Sequence, residues 1–210
     1  MPTLSVIAAI STEIYGQNAT YATARSTSAA FDNVTNAIAG QRRQSTTNYY
    51  CYRLFLKFDT SSMPDNATIT KVNLRMAIAG DYSTNDFDVM VQEQDWSGQD
   101  AISDGNRETA YDNCLAEADS FLWRNTSGIS TDTQYTGADM TTGYVNKTGT
   151  TYYSLISSRD IAASAPGSST TEYVIFHKHD AATEAYRPTL LVEYALPGAP
   201  VTMISEYGTM

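Results

Sequence analysis

The stretch RLFLKFDTSSMPDNATITKVNLRM, residues 53–76, decides the fold. Just upstream the alternation has already begun: Tyr50, Tyr52, Leu54, Leu56 and Phe58 point one way, and Cys51, Arg53, Phe55 and Lys57 the other. The turn formers of DTSSMPDNAT interrupt it, and it returns in Thr70, Val72, Leu74, Met76 and Ile78, with Lys71, Asn73 and Arg75 opposite. Two antiparallel strands are expected, each with one face in a core and the other mostly wet. The positive charges would then face solvent, where they discourage another chain from adding to an edge.

Working outward, further period-2 runs occur at Phe87, Val89 and Val91, at Tyr152, Ser154 and Ile156, at Tyr173, Ile175 and His177, and at Leu190, Val192 and Tyr194. Each is short and bounded by Gly, Pro, Asn, Asp, Ser or Thr. Residues 1–10, with Leu4, Val6, Ala8 and Ile10 in alternation and no basic start, read as a strand rather than a secretory signal. Only DNCLAEADSFL, 112–122, suggests a helical turn or two, and 80–86 and 97–111 read as loops. Short strands without long helical crossovers predict an all-β, antiparallel β-sandwich of jelly-roll type over residues 1–195. The prolines of ALPGAP, 195–200, close the last strand and open a tail, 196–210. That tail is either a frayed end or an arm that docks on a neighbouring subunit through Val201, Met203, Ile204 and Tyr207.

Composition narrows the function class. Ser and Thr number 48, Tyr (15) outnumbers Phe (6), and charged residues make up only 17%, which suits pleated, half-exposed surfaces. A net charge of -10 with only 13 Lys and Arg argues against nucleic acid as a partner. No apolar run is long enough for a membrane-spanning helix. Cys51 and Cys114 read as two unpaired, partly buried thiols, with a single bridge as the alternative.

The central stretch resembles the DNRLRE (disaggregatase-related) jelly-roll family, in which an Arg-containing strand ends in a Phe-Asp-Ser-like turn with Pro before a strand that opens on Ile. In the same order, VMVQEQDW (89–96) resembles the family's strand ending in Trp, FLWRNTSG (121–128) its Trp-Asn turn, and EAYRPTLLVEY (184–194) its closing Arg-Pro strand. The likeness covers residues 12–195 with gaps and is least over 128–150. It implies a β-sandwich module of the kind found in extracellular, cell-surface and phage structural proteins, often associated with carbohydrate.

The residues offer little catalytic chemistry. His177 and His179, at i and i+2 with Asp180, would share a strand face as metal ligands do, but no third firm ligand is indicated. Asp81, Asn85, Asp86 and Asp88 are calcium-type oxygens without a calcium-loop spacing, and are ordinary turn formers. No nucleophile elbow, metalloprotease helix or phosphate-cradling loop occurs, so neither enzyme activity nor a cofactor is expected. Trp96 and Trp123 stand at strand ends. With Arg124 and Asn125 they would suit sugar stacking, whereas the structural alternative makes each a lid over the core. Together these readings predict a non-enzymatic virion structural protein, a capsid-decoration or fibre-like surface protein of a tailed phage or archaeal virus. It would be a homo-oligomer contacting the major capsid protein or neighbouring subunits, with glycan adhesion as a further property. The alternative is a carbohydrate-binding module of a cell-surface or secreted protein.

Overall fold

The computed structural model describes residues 1–32, 37–45 and 47–197. Its strands are β1 (Thr3–Ile7), β2 (Ile10–Asn18), β3 (Ala30–Asp32), β4 (Ile38–Gln44), β5 (Asn48–Asp59), β6 (Thr68–Ser83), β7 (Asp88–Gln92), β8 (Ser120–Asn125), β9 (Gln134–Thr136), β10 (Thr150–Ser157), β11 (Thr171–Phe176) and β12 (Thr189–Ala195). Three short helices accompany them: α1 (Tyr21–Ser26), α2 (Arg107–Ala116) and α3 (Ser158–Ile161). The protein is an all-β antiparallel sandwich, its strands joined in the order β1-β12-β6-β11-β4-β5-β10-β7-β8, with β2 and β3 on the far edge of β5 and β9 on β6.

Two long strands organise it, and each changes neighbour midway. β6 pairs with β12 over Thr68–Arg75, then with β11 from Ile78 to Ser83. β5 pairs with β4 up to Tyr52 and with β10 from Leu54, while β2 runs along its other edge. Leu54, Leu56 and Phe58 of β5, Val89 and Val91 of β7 and Tyr153 and Leu155 of β10 pack against Val72, Leu74, Met76 and Ile78 of β6 and Leu190 and Val192 of β12.

The expectation of a wet second face on β5 is overturned. Cys51, Arg53 and Phe55 are fully buried, because α1 and α2 cover that side and close a second core with Ile14, Trp96, Tyr111, Cys114 and Ile156. Of the four residues expected on this face, Lys57 is the one that reaches water, pairing with Asp100 at 2.6 Å. Nor do these charges guard an edge, since β5 is paired on both sides. On β6, Asn73 is buried and Lys71 open.

Other boundaries shift as well. The helix expected within 112–122 occupies Arg107–Ala116, and 120–125 is strand β8. Residues 80–83, read as loop, complete β6. On β11 the core takes Val174 and Phe176, so Tyr173 and Ile175 face away from it. Both cysteines are free and buried, and burial pushes the Cys114 thiol up to about 12. Val201, Met203, Ile204 and Tyr207 lie outside the described residues.

Candidate functional site

The face of β5 that sends Leu54, Leu56 and Phe58 into the core carries Tyr50 and Tyr52 beyond its end. Register then lines up one row across five strands: Tyr15 of β2 opposite Tyr52, Tyr52 opposite Gly40 of β4, Gly40 opposite Tyr173 of β11, and Tyr173 opposite Tyr82 of β6. Glycine in the middle of this row is what allows the rings to meet. Gly40 has φ +136°, and a Cβ there would lie 2.3 Å from the Glu172 carbonyl oxygen and 2.5 Å from the Tyr173 Cα. With that side absent, the Tyr52 and Tyr173 rings approach to 5.7 Å across β4.

The result is a platform of five tyrosines. Tyr15 and Tyr52 lie 5.7 Å apart, Tyr173 and Tyr82 stack at 5.1 Å, and Tyr50 lies nearly parallel to Tyr52 at 6.1 Å. Arg42, opposite Tyr50 in the ladder, holds its guanidinium 4.3 Å from the Tyr50 ring centroid and donates to the Tyr173 hydroxyl. Its Nε is buried and meets no acceptor among the described residues.

Carboxyl groups flank the rings. Glu13 of β2 is directly opposite Asp32 of β3, and its Oε2 accepts the Ile38 N–H at 3.1 Å. Burial, set against that hydrogen bond and joined by repulsion from Asp32, pushes the Glu13 carboxyl from 4.5 up to about 8. Glu13, Tyr15, Gln17, Asp32, Arg42, Tyr50, Tyr52 and Tyr173 line a groove of about 490 Å³, within the size range of small-ligand sites, while Tyr82 stacks on Tyr173 beside it. Flat aromatic faces with mixed donors and acceptors can hold a polyhydroxylated ring by stacking and hydrogen bonding.

The residues singled out from sequence lie elsewhere. Trp96 is fully buried, edge-on to Phe55, and donates its indole N–H to the Tyr153 carbonyl at 3.2 Å. Trp123 is 4% exposed, donates to the Leu74 carbonyl at 3.0 Å and packs on Phe176. Neither indole presents a face to a sugar, so the lid reading of both replaces the stacking one. Arg124 lies over the Tyr135 ring at 4.1 Å, and the Asn125 amide donates to Asp88 at 2.7 Å. The histidines are engaged separately, His177 with Asp132 at 2.9 Å and His179 with Ser11 through Nδ1. Among the described residues no group of three or more His, Cys, Asp or Glu is placed to hold a metal ion. Asp81 accepts the Ser83 N–H at 2.9 Å, as a turn former does.

The groove was not legible as a site. Its one sequence signal is tyrosine at alternate positions, Tyr50 and Tyr52, in a chain rich in Tyr. No family model matches the chain, and no curated protein matches it.

Proposed function

We propose that this chain is a non-enzymatic adhesion module of a virus particle, of capsid-decoration or fibre-like kind, that holds carbohydrate in the tyrosine groove. The observation that carries the binding reading is the platform of Tyr15, Tyr50, Tyr52, Tyr82 and Tyr173 with Arg42, Glu13 and Asp32 at its margin. The viral setting is supported by the resemblance of residues 53–76 and the later motifs to the DNRLRE jelly-roll modules of phage structural proteins. A single shallow groove binds a glycan modestly, and repeated copies on a particle would supply avidity. The same groove would serve a cell-surface carbohydrate-binding module. Mass spectrometry of purified particles against the cell-envelope fraction separates the two settings.

A glycan array identifies the ligand, and calorimetry with Tyr50→Ala and Tyr15→Ala tests the groove. Both rings are partly exposed, so their loss leaves the core intact. Each truncation is expected to lower affinity about tenfold, the effect of roughly 1.4 kcal/mol. Binding unchanged in both variants would remove the groove from the account, and an array without any hit would remove the carbohydrate reading.

A further inference from the structure

β1 ends the strand order and, among the described residues, pairs on one side only, with β12. The Ala8 N–H donates to the Pro188 carbonyl at 2.8 Å, and the Tyr194 N–H to the Pro2 carbonyl at 3.1 Å. Bonded residues alternate in an antiparallel ladder, so Leu4 and Val6 turn their amides and carbonyls to β12. Thr3, Ser5 and Ile7 turn theirs to the open side. Sheets ordinarily blunt such an edge with charge, a bulge or brevity. The other end of the order, β8, has Arg124 and a register shift against Val89 and Met90, and β3 stops at Asp32 after three residues. β1, Thr-Leu-Ser-Val-Ile, is uncharged and pairs without a shift. The core is also incompletely covered here, since Leu4 and Val6 continue the row of Val192 and Leu190 yet stay half-buried beside them. We propose that residues 201–207 of a second copy add to this edge as a strand, so that two copies exchange their tails.

β12 brings each tail to the right corner, because its end is bonded to Pro2 at the start of β1. The segment VTMISEY is rich in strand-forming residues and carries no charge before Glu206. Laid along β1, it supplies partners for the outward N–H and C=O groups and sets Val201, Met203 and Tyr207 on the face of Leu4 and Val6. β12 runs antiparallel to β1, so a tail docking on its own molecule would have to round Met1 and Pro2 and run parallel to β1, the less stable pairing. The two prolines of 196–200 favour an extended lead of about 15 Å, which carries the segment outward instead. Donor segment and acceptor edge lie side by side on one protomer. The exchange is therefore reciprocal and closes as a two-fold pair. It is independent of the carbohydrate reading, for no residue lining the groove lies on β1 or in the tail.

Size-exclusion chromatography with light scattering should give the full chain twice the monomer mass at micromolar concentration. Met203→Asp brings a charge onto Leu4 and Val6, and Ser5→Pro removes an outward N–H while sparing the β12 ladder. Each should weaken dimerisation at least about tenfold. Mixed together, the two variants retain one sound joint, the Ser5→Pro protein's tail on the Met203→Asp protein's edge. Native mass spectrometry with one partner ¹⁵N-labelled should then show mixed pairs in excess of either variant paired with itself. Hydrogen exchange tests the parent protein without any substitution: the Ser5 and Ile7 amides should slow as concentration rises. A monomeric full chain, a dimer indifferent to both substitutions, or mixed pairs at no more than the statistical share would overturn the proposal. So would Ser5 and Ile7 amides whose exchange does not depend on concentration, because a tail docked on its own molecule protects them at any dilution. Each of these results leaves the glycan measurements on the groove unaffected.

Discussion

Arg53 carries its charge into the interior because three acceptors from distant parts of the chain meet it there. Its Nε pairs with Asp160 at 3.0 Å, and its terminal nitrogens donate to the Tyr111 and Arg25 carbonyls, while the guanidinium lies 3.7 Å from the Tyr111 ring centroid. Asp160 in turn takes the Arg25 Nε at 3.0 Å. Taking both ions from water is costly, and the fit recovers that cost only while the partners remain. Removing one leaves a buried, unpaired charge. Asp160→Ala and Arg53→Met should therefore each destabilise by about 3–5 kcal/mol in urea unfolding, and the double substitution by less than the sum. A loss below about 1 kcal/mol for Asp160→Ala would mean that the pair is not desolvated.

At the scale of the elements, the handover of β5 from β4 to β10 creates both the second core and the groove. β4 departs with β11 at Tyr52, and the Tyr50 end of the strand is left partly open while Tyr52 is buried beneath its neighbours and Leu54 onward stays inside. The closeness of β4 to β11 depends on Gly40. Gly40→Ala places a methyl against backbone atoms of Glu172 and Tyr173 at a φ that side chains rarely adopt, so the two strands must part. A loss of about 3 kcal/mol or more is expected, with faster hydrogen exchange at β11 amides and weaker glycan binding as the Tyr52–Tyr173 contact opens. Stability within about 0.5 kcal/mol of the parent would contradict the close approach.

For the molecule as a whole, the two cores meet at β5: Leu54, Leu56 and Phe58 fill one, Cys51 and Phe55 the other. Neither core can open along this strand without uncovering the other, so global stability should register the protonation of a group buried beside it. The Glu13 carboxyl is held at about 8 in the folded protein against 4.5 as its ordinary value. Below 4.5 both states hold the proton and its burial is unopposed. As pH rises through the interval the unfolded chain ionises first, and the folded state loses stability until about 8, above which the loss levels off. The decline attributable to this one group is on the order of 5 kcal/mol. Glu13→Gln should flatten the curve, making the variant relatively more stable at pH 8.5 than at pH 5 in thermal unfolding. An unchanged pH profile would show that Glu13 ionises freely in the fold.

By itself the sequence determined the antiparallel all-β fold, because alternation at period two in Leu54, Leu56, Phe58 and Val72, Leu74, Met76 leaves a strand one way to hide its apolar side. Alternation says nothing about what lies over the opposite face. Arg53 and Lys57 read alike in the pattern, yet one meets Asp160, 107 residues away, and the other meets water. Tryptophan and tyrosine were ambiguous for the same reason. An aromatic ring suits a core or a sugar equally, and only packing sealed Trp96 and Trp123 inside while leaving Tyr82 49% exposed. The groove is a product of register, which sets Tyr15, Tyr52, Gly40, Tyr173 and Tyr82 side by side from five separate strands. Hydrophobic pattern acts locally and is written along the chain. Charge satisfaction and the meeting of distant side chains exist only once the strands have been laid against one another.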